Sequence, residues 1–132
     1  MIGKIFRVLL VLWAGSLWSL ALGVTPILFS AQSDRHLAGL LAGRMFSLET
    51  YLGVGVAVLA LLLPGRGRFV WGYLAAAILA VNEWALRPVM VAARVHGSAA
   101  GLTFGAWHGV SAVLYVIACL AVLVVIWRED FR

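Results

Sequence analysis

Four long apolar stretches alternate with short polar breaks along the chain. The first runs over about residues 5–29 and stops at Ser30-Ala31-Gln32-Ser33-Asp34-Arg35-His36. The second covers about 37–63 and stops at Pro64-Gly65-Arg66-Gly67-Arg68, a strong turn signal that also carries two cations. The third covers about 69–95 and stops at His96-Gly97-Ser98-Ala99-Ala100. The fourth covers about 101–127 and precedes Arg128-Glu129-Asp130-Phe131-Arg132. A helix crosses the hydrocarbon core of a bilayer with about 20 mainly apolar residues, and each stretch supplies them. The breaks are too short to join anything except antiparallel neighbours. The pattern therefore predicts an all-α integral membrane protein, a four-helix up-down-up-down bundle, with residues 1–132 forming a single transmembrane domain and no soluble domain at either end.

Small residues recur every four positions inside these stretches: Gly15, Ser19 and Gly23; Gly39, Gly43 and Ser47; Gly72, Ala76 and Ala80; Gly101, Gly105 and Gly109. That spacing keeps them on one helix face, where backbones can approach closely, within the monomer or between protomers.

Composition agrees with the pattern. Of 132 residues, 64% are hydrophobic and only 11% charged, against about a quarter charged in an ordinary soluble domain. The mean hydropathy is +1.07. Lys4 and Arg7 ahead of an apolar run resemble the start of a signal peptide, but the run exceeds the roughly 7–15 residues of a signal core, so it reads as an uncleaved first helix. The net charge of +5 comes mostly from cations that flank apolar runs, which is a matter of topology and not of nucleic-acid binding. Lys4, Arg7, Arg66, Arg68, Arg128 and Arg132 all fall on one side of a four-span chain; Arg35, offset by Asp34, and Arg94 fall on the other. By the positive-inside rule both termini are expected in the cytoplasm. Trp71 and Trp127 sit at the same ends, where aromatic anchors belong. Cys119 is the single cysteine, so no intrachain disulfide forms.

Ionisable residues inside a span are the best functional pointers such a sequence offers. There are five: Arg44, Glu49, Glu83, Arg87 and His108. With a rise of about 1.5 Å per residue, Arg44 and His108 lie about 10 Å and Arg87 about 12 Å below the outer ends of their spans, with Glu49 and Glu83 about 18 Å down. Two cations and an imidazole thus share one layer above two carboxylates, and the cytoplasmic half is almost purely apolar. Glu83 and Arg87 can pair at i, i+4. Glu49 needs an inward partner, with Arg44 and Arg87 as candidates. Should the two carboxylates meet, one is expected to hold a proton at neutral pH. Asn82 and Trp107 add polar groups beside Glu83 and His108. Pro26 and Pro88 lack the donors for the carbonyls of Leu22 and Trp84 and should kink their helices in the outer half. Buried ion pairs of this kind also serve simply to fix helix register. No phosphate loop, Cys-x-x-Cys, paired His at i, i+4 or Gly-x-Ser-x-Gly occurs, so an enzyme is the weaker expectation and no catalytic residue is assigned.

Leu12-Trp13-Ala14-Gly15 with Thr25-Pro26-Ile27-Leu28-Phe29, then Ala38 to Phe46, then Asn82-Glu83-Trp84-Ala85-Leu86-Arg87-Pro88 and Phe104 to Ser111, resemble the transmembrane protein 205-like family, the bacterial domain of unknown function 4149. The resemblance covers nearly the whole chain and implies a small four-helix protein of the bacterial inner membrane. More distantly, residues 13–29 are similar to the copper-resistance D proteins and the four-helix membrane protoporphyrinogen oxidase. The haem-ligating His of the oxidase's first helix has no counterpart here.

Three functions are compatible with these features. The first is binding or transport of a small ligand, ion or proton by Arg44, Glu49, Glu83, Arg87 and His108, in a site open to the outer face and closed below. With only four helices, transport would call for a homo-oligomer. No cofactor is required for this. The second is a haem- or copper-handling protein with His108 as the metal ligand. The third is a structural accessory subunit of a larger membrane complex.

Overall fold

The computed structural model describes residues 2–64 and 66–128, and of residues 2 and 66 the backbone alone. Gly65, the Arg66 side chain and the tail residues Glu129, Asp130, Phe131 and Arg132 lie outside the described residues, so the flanking-cation pattern is followed below at its other members. Four helical spans are long and apolar enough to cross a membrane: Gly3–Ala31, Arg35–Leu62, Gly67–His96 and Phe104–Arg128. The first comprises α1 (Ile2–Ser19), a π-helical turn (Leu20–Val24) and α2 (Thr25–Ala31). The second is α3 (Arg35–Leu62). The third holds most of a short 3-10 turn (Arg66–Phe69), then α4 (Val70–Val81), a second π-helical turn (Asn82–Leu86) and α5 (Arg87–His96). The fourth is α6 (Phe104–Arg128).

The helix ends follow from the polar breaks. Asp34 caps α3 by accepting from the backbone N–H groups of His36 (2.9 Å) and Leu37 (3.1 Å), which a first turn leaves without partners. At the other end Leu63 is extended (φ −97°, ψ 150°), because Pro64 disfavours the α conformation in the residue before it. Gly97, at φ +83°, ends α5 in a conformation glycine adopts without steric cost. The fourth helix begins at Phe104 and not near residue 101. Ala99 and Leu102 pair backbone to backbone in the connection, and Thr103 Oγ1 accepts from the N–H of Ala106 (3.3 Å) as a cap.

The two prolines act differently from the simple kinks anticipated. Proline cannot donate to the carbonyl four residues back, and its ring crowds that oxygen. Ahead of Pro26 the chain takes an extra residue into the turn, and Thr25 N–H reaches the carbonyl of Leu20, five residues back. Ahead of Pro88, Arg87 N–H reaches the carbonyl of Asn82 in the same way. Each proline therefore sits just beyond a widened π turn, which relieves the clash without breaking the rod.

The spans pack as a ring, α1 on α3 and α6, and α4 on α3 and α6, with α2 against α3 and α5 against α6. The densest core lies toward the end where Phe6 meets Phe69 edge-on and Arg128 lies over Trp71. It is built from Leu10, Trp13, Leu17, Val56, Phe69, Leu79, Val122 and Val125. At Gly72 the Phe69 ring packs so closely on the backbone that a Cβ would overlap it. Leu12, Leu22, Leu48, Val58, Leu62 and Val113 point outward, as lipid-facing positions must. The small-residue stripes divide in the same way. Gly72 and Ala76 are buried, whereas Gly15, Gly23, Gly39 and Gly109 have no atom within 4 Å of where a Cβ would be. Those four glycines face out of the monomer.

Candidate functional site

Glu49 sits on α3 about 21 Å from the Arg35 end, close to mid-span. It is 6% exposed, and Thr50 beside it is also buried. The neighbour of its carboxylate is a hydroxyl: Ser16 Oγ of α1 is 3.0 Å from Oε2. The same hydroxyl lies 2.8 Å from the carbonyl of Trp13. A hydroxyl has one proton, so it serves these two acceptors alternately. One turn beyond Glu49, Gly53 lets the Trp13 indole lie against α3; a Cβ there would be 2.7 Å from its Cζ2. The indole N–H of Trp13 is buried and has no hydrogen-bond partner among the described residues. Tyr115 of α6 closes this layer, donating its hydroxyl to the carbonyl of Leu17 (2.8 Å) and meeting the Phe46 ring edge-on at 4.9 Å.

Glu83 lies in the second π turn and faces α3. Its Oε1 accepts from Arg87 Nη1 (2.6 Å) and from Ser47 Oγ (2.7 Å). Arg87 Nη1 also donates to Ser47 Oγ, closing a triangle between the second and third spans. Gly43 makes room for it: a Cβ there would be 3.1 Å from Arg87 Nη2. Asn82 donates from Nδ2 to the carbonyl of Ser111 (3.1 Å) and ties the same turn to α6. Its Oδ1 is buried with no partner among the described residues.

The five ionisable residues therefore do not form one layered cluster. Glu83 and Arg87 are together. Glu49 has Ser16 as its partner and neither of the arginines considered for it. The helical rotation of about 100° per residue explains both outcomes. Ser47 and Glu49, two residues apart, point about 160° apart around α3, so one faces the third span and the other the first. The two carboxylates thus lie on opposite sides of the helix. Arg44, five residues before Glu49, is turned about 140° away from it and is exposed. His108 is exposed too, stacked on the Phe104 ring at 5.9 Å, and the Arg94 guanidinium lies 4.2 Å from the same ring. Trp107 is half-buried and donates its indole N–H to the carbonyl of Ala99 (2.8 Å), fastening the last connection. Pro26 and Pro88 are exposed on the rods they interrupt. Among the described residues no three His, Cys, Asp or Glu side chains come close enough to hold a metal ion.

Ser16, Ser47, Thr50 and Tyr115 carry much of this arrangement and were not singled out by charge. Their signal was present: each is a hydroxyl in an otherwise apolar stretch. Counting antiparallel registers back from the turns would have set Ser16 opposite Glu49 and Ser47 opposite Glu83.

A family model described as a domain of unknown function (DUF4149) matches residues 8–99, which takes in most of the first three spans and both π turns. No curated protein and no solved structure matches.

Proposed function

The chain belongs to the DUF4149 family, a domain of unknown function, and from that premise we propose that this small multi-pass membrane protein binds and carries a proton, or a small monovalent cation in its place, at Glu49. The observation behind this reading is a carboxylate buried at mid-span whose neighbour is a serine hydroxyl, with no cation at ion-pair distance among the described residues. A bare carboxylate costs several kcal/mol at that depth, so it is neutralised, and in this reading a proton or monovalent cation that can exchange does so. Glu83 differs, because Arg87 already supplies its counter-charge. Arg87, Asn82 and Ser47 then hold the second and third spans in register, while Arg44 and His108 serve the outward surface.

Several further features belong to the same reading. The spans run up-down-up-down. In support, Trp13 meets Gly53 while Ser16 meets Glu49, so rising numbers on the first span meet falling numbers on the second. Both termini lie in the cytoplasm and the protein resides in a bacterial inner membrane, as the flanking cations imply. The kinship extends to the transmembrane protein 205-like group on the motifs around Pro26 and Pro88. Access to Glu49 is from the outer side, because the core is densest toward the Phe6–Phe69 end. The outward glycines of the first and fourth spans favour assembly as a homo-oligomer, which would complete a pathway four helices are too few to enclose.

A lipid-soluble carbodiimide tests the proposal, since it modifies carboxyl groups that hold a proton in an apolar setting. Peptide mapping after labelling in proteoliposomes should find the adduct on Glu49 and not on Glu83, with sodium ions protecting if a cation competes for the site. Labelling of Glu83 with Glu49 untouched would reverse the assignment.

A further inference from the structure

At the cationic end of the bundle, α4 begins and α6 ends side by side around a cleft of about 490 Å³ lined by Gly67, Arg68, Val70, Trp71 and Arg128. Nothing in the Glu49 reading uses this cleft. Two of its five lining residues are arginines, and neither forms an ion pair among the described residues. The Arg128 guanidinium stands 5.8 Å over the Trp71 ring, which orients its fork of donors and weakens its hydration. Helix α4 starts here with the positive end of its dipole, and Phe69 at its N-cap has no side-chain acceptor to offer the first-turn N–H groups. Gly67 leaves the floor open, with no atom within 4 Å of where a Cβ would be. Val70 supplies an apolar wall.

We propose that this cleft binds a phosphate oxyanion, and that the oxyanion is the headgroup phosphate of an anionic phospholipid. Two forked guanidiniums and a helix amino end are what a tetrahedral phosphate requires. The position selects the source. The cleft is at the end of two apolar spans, where tryptophan and arginine meet the headgroup layer, and basic pockets between spans at that depth suit anionic headgroups. The acyl chains would continue along the lipid-facing side of α4 and α6, past exposed Val70, Leu74 and Leu120.

Native mass spectrometry of the purified full chain in mild detergent decides the matter. The protein is mixed with equal amounts of phosphatidylglycerol and phosphatidylcholine, and in a separate arm with inorganic phosphate followed by phosphorus NMR line width. The expected result is selective retention of one phosphatidylglycerol. Arg68→Ala/Arg128→Ala should lower that retention roughly tenfold or more, while Arg35→Ala/Arg94→Ala, at the other end of the bundle, leaves it unchanged. Circular dichroism should find the same helicity in all three proteins, and Arg68→Lys/Arg128→Lys, which preserves charge but not the fork, should retain an intermediate amount. Equal retention of the two lipids, or wild-type retention by the double alanine variant, would overturn the proposal. Line broadening by inorganic phosphate without retention of lipid would overturn the lipid assignment.

Discussion

A single methyl group is felt most directly at Gly72, where the Phe69 ring covers the backbone and is itself held by Phe6 and Tyr73. Gly72→Ala should therefore lower stability by about 1–3 kcal/mol, the usual range for overpacking a tight contact. Gly15→Ala, whose Cβ enters open space, should leave stability unchanged or slightly raised, since alanine favours the helix. Thermal unfolding in detergent compares the two. Arg87 offers a second test at this scale. Arg87→Ala strands Glu83 and Ser47, and the loss should be on the order of 3 kcal/mol, the low end for a broken buried pair because the guanidinium is partly exposed. Adding Glu83→Gln should recover part of that loss; no recovery would mean that Arg87 acts through packing and not through its charge. The Glu83–Arg87 pair was legible from spacing alone, since i, i+4 is a local relation. The partner of Glu49 was not, because Ser16 lies on another span and carries no charge to draw notice. Arg44 and His108 looked equivalent to the others because depth along a helix can be counted from the sequence. Which way a side chain faces depends on what its neighbours present.

Among elements, the helix ends were readable where their cause was chemical and local. Asp34 as a cap, the stop ahead of Pro64 and the break at Gly97 are each a property of a few adjacent residues. The prolines were readable as interruptions but not as π turns, because whether the chain kinks or takes in an extra residue depends on what the turn then bonds to. In the third span that bonding includes Asn82 to Ser111 and Glu83 to Ser47. The small-residue stripes gave a true periodicity without saying which faces meet, and two of the four turned out to face outward. The contact of α6 with α1 rests in part on a hydrogen bond that no periodicity reveals, from Tyr115 to the carbonyl of Leu17. Tyr115→Phe keeps the ring on Phe46 and removes only that bond. The expected loss is about 0.6–1.7 kcal/mol, the range for interhelical bonds in membranes, read as a lowered unfolding midpoint. A midpoint equal to wild type would mean that ring packing alone holds these two helices together.

For the whole molecule, hydropathy carried the most information. In a bilayer every backbone polar group must be satisfied within the protein, by a helix or a closed barrel, and a long apolar run without the alternation of a barrel strand reads as a helix; the four runs returned as four spans. What hydropathy could not supply was the division of labour between the two carboxylates, since it treats Glu49 and Glu83 alike. That division is the core of the proposal: Glu83 is ion-paired with Arg87, whereas Glu49 has a serine hydroxyl and no cation beside it among the described residues, as a site that exchanges a proton would require. In the proposed orientation, reporters fused ahead of Lys4 and behind Arg132 should both read cytoplasmic; signals from opposite sides would contradict the up-down-up-down order, and two periplasmic signals would reverse the orientation. The carboxylate claim itself is tested most directly by infrared spectroscopy of the protein in lipid, at neutral pH and without sodium or potassium. The account predicts the carbonyl stretch of a protonated carboxyl group, lost in Glu49→Gln and kept in Glu83→Gln. A spectrum without that band, or one in which it survives Glu49→Gln, would contradict it.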